Sequence, residues 1–374
     1  MWLDDMEPGA LEQAKHLANF PFAFHHIAIM PDAHEGFGMP IGAVLATKNV
    51  VIPNAVGVDI GCGMCAVKTT LKEITVETLK KILGEIRKTI PTGFSHYEKA
   101  QDKGAMPLKK EEMFIVGSQF EKALKQVGTL GGGNHFIEVQ RGSDGHIWLM
   151  VHSGSRNIGK RVADYYNKLA IRKKDEWGSD IPKNWQLDFL PVDSEECQKY
   201  LAEMRYCVEF ALASRKLMMK KIKEIFEKNT EGRLLLPGMI NIAHNYASFE
   251  NHFGEDVIVH RKGATQARKG QWGIIPGSQG SKSYIVRGKG NPESFESCSH
   301  GAGRKMGRNE ARRTLILEEE IRKLDQKGVL HAIRGKYDLD EAPSAYKDID
   351  WVMENQKDLV DIEIELTPLA VVKG

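Results

Sequence analysis

Asp59 and Cys62 stand three residues apart in a glycine-rich stretch, residues 56–64 (VGVDIGCGM). A carboxylate and a thiolate both bind divalent cations in their deprotonated forms, so the pair could belong to a metal site. The three glycines of the stretch would let the main chain approach such an ion closely. The alternative is that Asp59 is a turn residue and Cys62 a small buried hydrophobic residue. Because two ligands cannot hold a catalytic metal, a metal site here requires donors from elsewhere in the chain.

Three histidines are the best candidates for these further donors. His135 opens a β-like segment after a glycine-rich loop, and His152 and His244 each follow a short apolar strand. A single histidine at a strand end is commonly a satisfied buried residue, but these three all lie beside Gly, Ser or Asn, which leaves room for an ion. Together with Asp59 and Cys62 they make five donors, enough for one metal ion or two.

A fourth histidine has a different setting. His300 is followed by Gly301 and Gly303, which would clear space around it, and by Arg304, which adds positive charge. Imidazole attacks phosphorus well and forms a phosphoramidate, provided that a carboxylate fixes its tautomer. We therefore interpret His300 as a candidate nucleophile.

Two further segments have the composition of phosphate sites. Residues 153–157 (SGSRN) place serines and Arg156 at the expected start of a helix, where main-chain N–H groups attract anions. Residues 276–284 (PGSQGSKSY) form a loop that could hold a phosphate or a base edge with N–H groups and hydroxyls. The alternative for this loop is an ordinary surface turn. Neither GxxxxGKS nor GxxxxGKT occurs, which excludes a P-loop.

The composition suits a large cytosolic enzyme. With 374 residues, of which 41% are hydrophobic, the chain can bury a large core, and its net charge of +2 indicates no particular partner. The five cysteines are odd in number and scattered, which argues for a reducing compartment rather than a disulfide framework. No apolar run of about 18 residues or more occurs. We therefore expect a cytoplasmic protein without a membrane segment.

Charge is unevenly distributed towards the C-terminus. Residues 261–313, here called the basic block, contain twelve Lys or Arg against three Glu, whereas residues 316–366 are acidic. A local excess of positive charge is typical of a surface that binds a polyanion. The pattern therefore predicts a polyanion-binding face on the basic block.

The spacing of apolar residues predicts helices and strands in irregular alternation. We expect strands over residues 26–30, 41–46, 64–69, 147–151 and 239–243, helices over 76–90, 111–127 and 195–228, and a further helix that starts near residues 153–157 and runs through about residue 173. No linker or internal repeat divides the chain, and the proposed site residues come from most of its length. We therefore predict one large α/β domain over residues 1–374, with a mixed sheet core and surrounding helices. The alternation fits neither a TIM barrel nor a simple doubly wound fold.

Taken together, these motifs resemble those of the RtcB family of RNA-splicing ligases. Eight of them occur in the order of the family, and the resemblance runs from residue 26 to residue 374. They are VGVDIGCGM, GTLGGGNHFIEV, VHSGSRNIG, NIAHNYA, RKGA, IIPGSQGSKSYIVRG, SCSHGAGR and AYKDID. The resemblance implies a single RtcB-like catalytic domain. Such an enzyme joins RNA ends with a 3'-phosphate or 2',3'-cyclic phosphate to 5'-hydroxyl ends, in tRNA splicing or in repair of cleaved RNA.

The resemblance also implies GTP and manganese as cofactors. His300 would attack the α-phosphate of GTP to give a histidine–GMP intermediate, and Asp32 would orient its ring. Two Mn²⁺ ions would share five ligands: Asp59, Cys62, His135, His152 and His244, with the cysteine between the ions. Arg156 would contact an RNA phosphate. The nucleotide contacts would be Asn134, Glu138, Ser278, Ser283, Arg304, Tyr346 and Lys373. By ligand softness alone, a thiolate with imidazoles would suggest zinc before manganese.

The expected substrate partner is RNA with these ends. An archease-like activator protein would be a second partner. We expect the protein to be a monomer. Two other functions remain compatible with parts of the pattern. A metal-dependent phosphoesterase acting on RNA ends would need the metal donors but would have no use for His300, Tyr346 or Lys373. A non-catalytic RNA-binding translation factor would need only the basic block.

Overall fold

The computed structural model describes all residues, 1–374. The helices are α1 (Pro8–Ala18), α2 (Pro53–Val56), α3 (Val76–Thr89), α4 (Phe114–Gln126), α5 (Arg156–Arg172), α6 (Glu195–Asn229), α7 (Arg308–Thr314), α8 (Leu317–Gln326) and α9 (Ile349–Glu354). The strands are β1 (Ala23–His34), β2 (Ile41–Thr47), β3 (Val50–Val51), β4 (Gly63–Lys68), β5 (Phe136–Gly142), β6 (Ile147–Ser153), β7 (Leu190–Pro191), β8 (Ile240–Ala243), β9 (Asn245–His252), β10 (Glu255–Lys262), β11 (Ala264–Gln266), β12 (Trp272–Ile275), β13 (Ser283–Gly288), β14 (Ser297–Ser299) and β15 (Val360–Lys373). Short 3₁₀ helices lie at Lys103–Ala105, Lys183–Trp185, Leu236–Gly238, Pro292–Ser294, Lys336–Glu341 and Pro343–Ala345.

The strands form one seven-stranded sheet, one four-stranded sheet and two small two-stranded sheets. The large sheet has the order β12-β13-β15-β5-β6-β4-β8, and the four-stranded sheet has the order β1-β2-β10-β9. The predicted α/β class is therefore confirmed. Its sheet detail differs, because all paired strands are antiparallel and parallel pairing is confined to isolated bridges such as Thr92 with Gly131. Short hairpins, such as residues 143–146 between β5 and β6, can join only antiparallel strands.

The predicted helices and strands are present, with shifted ends. The first strand is longer than expected, since β1 continues from Ala23 through Asp32 to His34, so Asp32 is part of a paired strand. Helix α4 begins at Phe114, later than the expected residue 111. The other ends agree within two residues, which is the usual uncertainty of a helix or strand boundary.

The long helix α6 runs through the centre of the hydrophobic core. Its first half contributes Met204, Cys207 and Phe210 to one buried cluster, while its second half contributes Met218 and Met219 to a second cluster under the large sheet. The methionine pair is therefore part of the core, as its apolar spacing predicts. None of the helices combines the length and apolar character needed to cross a membrane.

Candidate active site

Four neighbouring strands of the large sheet meet at one edge. Phe136 at the start of β5 lies opposite His152 near the end of β6, and Gly63 at the start of β4 lies opposite Ala243 at the end of β8. Since adjacent strands are antiparallel, strand starts and strand ends alternate along this edge. The residues at or just beyond these ends are Cys62, His135, His152 and His244.

The five predicted metal ligands are brought together at this edge. Cys62 Sγ lies 3.4 Å from His135 Nε2 and 3.3 Å from His152 Nε2. His135 Nε2 lies 3.2 Å from Asp59 Oδ2. The His244 ring is next to that of His152, with 5.3 Å between their centroids. One sulfur, one carboxylate and three imidazoles in contact form a donor set that fits a divalent transition metal.

The electrostatics of this cluster favour a bound cation. Burial, with the neighbouring imidazoles, holds the pKa of His152 and that of His244 well below the ordinary value, so both rings are neutral and able to coordinate. Burial and the Asp59 carboxylate hold the pKa of the Cys62 thiol well above its ordinary value. A divalent cation reverses this effect, because it deprotonates a coordinating thiol. A bound metal would therefore favour the thiolate form of Cys62.

A buried arginine connects three of the ligand-bearing segments. Arg215, on α6, is fully buried and donates hydrogen bonds to the carbonyl oxygens of Gly61 (3.1 Å), Ser153 (2.6 Å) and Ile242 (3.0 Å). It also donates to the side-chain oxygen of Asn241 at 2.8 Å. These segments carry Cys62, His152 and His244, so Arg215 fixes the spacing of the metal ligands. In a sequence it has the appearance of an ordinary helix arginine, and it was missed.

His300 is held by Asp32. The fully buried Asp32 Oδ2 lies 2.6 Å from His300 Nδ1 and accepts from the main-chain N–H groups of His300 (3.1 Å) and Gly301 (3.3 Å). A carboxylate only accepts, so the proton is on Nδ1 and the lone pair of Nε2 is free. The His300 ring is 4.8 Å from the His244 ring, which places the candidate nucleophile beside the predicted metal ligands.

The glycines after His300 act mainly by close packing. Gly303 has φ +71°, and a Cβ at this position would lie 2.1 Å from the carbonyl oxygen of Asp32. A side chain at residue 303 would therefore separate Asp32 from His300. Lys347 supports the same strand, since its Nζ donates to the carbonyl oxygens of Pro31 (3.0 Å) and Ala33 (2.6 Å) on either side of Asp32. Lys347 also lies outside the predicted residues.

A cavity of about 930 Å³ opens beside His300 and the metal cluster. Eleven predicted site residues line it: Asp59, Cys62, His152, His244, Asn134, Glu138, Ser278, Arg304, Tyr346, Lys373 and His300. Asp32, His135 and Ser283 lie directly behind this lining, in contact with His300, Cys62 and Gly277 respectively. This volume is sufficient for a nucleotide.

Three of the predicted nucleotide contacts share one carboxylate that sequence reasoning missed. Glu341 accepts from Tyr346 Oη at 2.6 Å and from Lys373 Nζ at 3.0 Å, and Arg304 lies 3.3 Å away. Arg308, also in the lining, approaches Glu341 to 3.8 Å. Burial opposes ionisation of Glu341, but the charge of Lys373 and the other donors outweigh it, so its pKa is lowered. Glu341 thus holds these cationic side chains at one wall of the cavity.

Glu138 and Ser283 are linked by a second residue that was missed. Gln140 Nε2 donates to Glu138 Oε2 at 2.7 Å and to Ser283 Oγ at 3.1 Å. Burial raises the pKa of Glu138 to about 8, although the charge of Lys373 and the bond from Gln140 oppose this. Ser278 belongs to the loop at 276–284 and contacts Ser281, with 2.7 Å between their hydroxyls. Alternation along β5 would have identified Gln140, which is two residues from Glu138 and on the same face.

Arg156 lies beside the cavity and is absent from its lining. Its guanidinium donates to Thr129 Oγ1 at 3.0 Å and to the carbonyl oxygen of Gly93 at 2.6 Å, and its φ is +60°, which is rare for a residue other than glycine. Burial opposes ionisation of Asp59, but the bonds from His135 and Cys62 and the charge of Arg156 outweigh it, so the pKa of Asp59 is lowered. Arg156 is therefore close to the metal cluster, and its role as a phosphate contact stays a prediction.

Most cations of the basic block are paired with acids, and the role of the block as a polyanion-binding face stays a prediction. Six of its twelve cations form ion pairs with acids of residues 316–366: Lys282, Arg287, Lys289, Arg304, Arg308 and Arg312. Arg261 and Arg268 pair with Glu250 and Glu296. The basic and acidic segments therefore largely neutralise each other, because the fold places β13 against β15 and α7 against residues 336–341.

This combination of fold and site defines an α/β protein in which a candidate metal site of one cysteine, one aspartate and three histidines lies beside a nucleotide-sized cavity. A family model described as "tRNA-splicing ligase RtcB" matches residues 13–120 and 92–374. The chain is 39% identical to "RNA-splicing ligase RtcB" of Escherichia coli K12, an alignment that covers 100% of this chain and 97% of that protein. It is 31% identical to "tRNA-splicing ligase RtcB" of Nanoarchaeum equitans, with 98% of this chain and 92% of that protein covered. The chain belongs to the RtcB family, as its motifs predict.

Proposed function

We propose that this protein is an RNA ligase that joins a 3'-phosphate RNA end to a 5'-hydroxyl end and uses GTP and two Mn²⁺ ions. Membership of the family supports ligation of RNA. The observation that carries the mechanism is the pairing of His300 Nδ1 with the buried Asp32, 2.6 Å away, next to the metal ligand His244. A phosphoesterase that activates water on its metal ions would not require a histidine oriented in this way.

In the first step His300 Nε2 attacks the α-phosphorus of GTP. An N–P bond forms, the bond from this phosphorus to the bridging oxygen breaks, and pyrophosphate leaves. Asp32 keeps the proton on Nδ1 throughout and stabilises the positive charge that develops on the ring. Asp59, Cys62, His135, His152 and His244 would hold the Mn²⁺ ions, which supply charge neutralisation at the reacting phosphates.

In the second and third steps the guanylyl group is used to activate the RNA. An oxygen of the RNA 3'-phosphate attacks the α-phosphorus, and the N–P bond to His300 breaks. The 5'-hydroxyl then attacks the activated 3'-phosphate, so a phosphodiester forms and GMP leaves. A 2',3'-cyclic phosphate must first be opened by water, because the attack requires a free phosphate oxygen. Arg304 and Lys373, held by Glu341, would offset phosphate charge during these steps.

The test uses two RNA strands, one ending in a 2',3'-cyclic phosphate or 3'-phosphate and the other beginning with a labelled 5'-hydroxyl. With the purified protein, GTP and Mn²⁺, a joined product should appear, and omission of GTP or Mn²⁺ should prevent it. Loss of the phosphate without joining would support the phosphoesterase instead. Binding without any reaction would support the translation factor.

Within this proposal the protein acts as a monomer in the cytoplasm, as one domain over residues 1–374. Natural substrates would be the ends produced in tRNA splicing or by RNA cleavage. Multiple turnovers by the purified protein alone would show that an archease-like activator is not required. Ligation that stops after one turnover and resumes on addition of such a protein would show that it is.

A further inference from the structure

An exposed phenylalanine lines the cavity that contains His300. The Phe37 side chain is 72% exposed, and it forms part of the same lining as the metal ligands. Burying an aromatic side chain is favourable by about 2 kcal/mol, so a ring left in water beside a catalytic cavity is available to a ligand. Single exposed hydrophobic residues are common on proteins, and the setting of Phe37 therefore decides its meaning.

The main chain that carries Phe37 is fixed. Gln13 bonds both polar groups of Gly36: its Nε2 donates to the carbonyl oxygen at 2.6 Å, and its Oε1 accepts from the N–H at 3.1 Å. Lys262 Nζ donates to the carbonyl oxygen of Phe37 itself at 2.6 Å. The next residue, Gly38, packs so closely that a Cβ would lie 2.6 Å from the carbonyl oxygen of Gln186. A ligand of the ring would therefore not have to order this loop.

Lys262 also joins this loop to the metal-binding stretch. Its Nζ donates to the carbonyl oxygen of Asn54 at 3.0 Å, and its side chain packs against Gly57. Val58, another exposed apolar residue of the cavity lining, directly precedes the metal ligand Asp59. The main chain of Phe37 is thus tied to the segment that leads into Asp59.

The charges around Phe37 favour a base over a phosphate. Glu7 and Glu35 line this part of the cavity, and Glu7 accepts from the main-chain N–H of Glu35. Their carboxylates repel an RNA backbone, and the ammonium of Lys262 is committed to carbonyl oxygens. Arginine and lysine suited to phosphate lie at the Glu341 wall. A neutral π surface beside carboxylates is the setting in which an unpaired nucleobase stacks on an aromatic ring.

We propose that Phe37 is a stacking platform for an unpaired nucleobase next to the RNA end that is being joined. This rests on the proposed function, since it assigns a subsite for the RNA substrate of the same cavity. The platform requires a flat ring, so tryptophan should replace phenylalanine and leucine should not.

The test compares Phe37→Ala with Phe114→Ala, because Phe114 has the same exposed fraction of 72% and lies outside the cavity. Loss of one base–aromatic stack should raise the KM for RNA in the sealing reaction by about 5- to 150-fold in Phe37→Ala. Phe37→Trp should restore the wild-type KM, whereas Phe37→Leu should stay close to Phe37→Ala. Phe114→Ala should match the wild type. Equal KM values for wild type and Phe37→Ala would overturn the proposal.

Abasic RNA identifies the base that stacks. Single bases are removed, one at a time, from the first three positions on either side of the junction. At one position only, the removal should abolish the difference in KM for RNA between wild type and Phe37→Ala. An undiminished difference at every position would contradict stacking and point to a protein contact or a fold defect. A raised KM for GTP in labelling of His300 without RNA would show that Phe37 stacks on guanine instead. If the proposed function itself fails, the wild-type protein seals no RNA at all, which separates the two failures.

Discussion

Replacing Arg215 with methionine should weaken the metal site without touching any metal ligand. Methionine keeps an unbranched apolar side chain in place of the aliphatic part of arginine but removes the guanidinium, whose hydrogen bonds reach Gly61, Ser153, Ile242 and Asn241. Four bonds at about 1 kcal/mol each make a loss of about 4 kcal/mol in the free energy of unfolding. Relief of a buried charge that has no carboxylate partner works in the opposite direction, while the buried acceptors left without this donor add to the loss, so we keep about 4 kcal/mol as the expected size.

The metal affinity should fall for two reasons. The three ligand-bearing segments lose their common anchor, and groups that orient ligands in this way are worth about 10- to 100-fold in affinity. The charge of Arg215 also opposes the burial that raises the pKa of Cys62, so its removal makes the thiolate harder to form. Titration with Mn²⁺ by calorimetry at fixed pH measures the affinity, and urea unfolding of the metal-free protein measures the stability.

Arg261→Met is the matched control for this experiment. Arg261 is also fully buried, but it binds Glu250, Ser297 and the carbonyl oxygen of Phe295, away from the ligand-bearing strand ends. Arg261→Met should lose stability and keep its metal affinity. Unchanged affinity in Arg215→Met, or an equal loss in both variants, would refute the positioning role of Arg215.

Three further predictions concern single side chains of the site. Cys62→Ala should abolish metal binding and sealing, whereas Cys65→Ala should keep both, because Cys65 is buried in the core under the sheet. Metal analysis and sealing assays compare the two variants, and an inactive Cys65→Ala would contradict the assignment of Cys62 as the metal ligand. Glu138 has a folded-state pKa of about 8 against an ordinary 4.5, so the free energy of unfolding should fall as pH rises from about 4.5 to about 8. Glu138→Gln should lose this dependence and be more stable than wild type at pH 8 by up to about 4 kcal/mol. Urea unfolding at pH 5 and pH 8 measures this, and the same change in unfolding free energy between the two pH values in both proteins would contradict it. Asp32→Asn should slow the labelling of His300 by GTP by about 10²- to 10⁴-fold, measured as an initial rate; a rate within threefold of wild type would remove Asp32 from the mechanism.

The metal ligands could be predicted from the sequence because their signals are local. His152 and His244 each follow an apolar strand, and the glycines around Cys62 mark a close approach of the chain. Strand ends of neighbouring antiparallel strands meet at one edge, so residues with this placement come together. The pairing of Asp32 with His300 could be inferred only from the resemblance, since 268 residues separate them.

The residues that the sequence did not reveal depend on long-range packing. Arg215 lies on a helix rich in lysine, and only the packing of α6 under four strands makes it a buried clamp. Glu341 lies in an acidic segment, where nothing distinguishes it from a solvated acid. The ion pairs of the basic block were not predicted for the same reason, because a sequence shows charges without their partners.

The most direct test of the account is to identify the residue that GTP labels. The protein is mixed with Mn²⁺ and GTP that carries label in the α-phosphate, and the adduct is treated with acid or alkali and mapped by mass spectrometry. The account predicts one guanylyl group on His300, lost in acid and stable in alkali, with pyrophosphate released, and no label in His300→Ala although that variant still binds metal. An acid-stable adduct, label on a lysine or on Ser299, or full sealing activity in His300→Ala would contradict it.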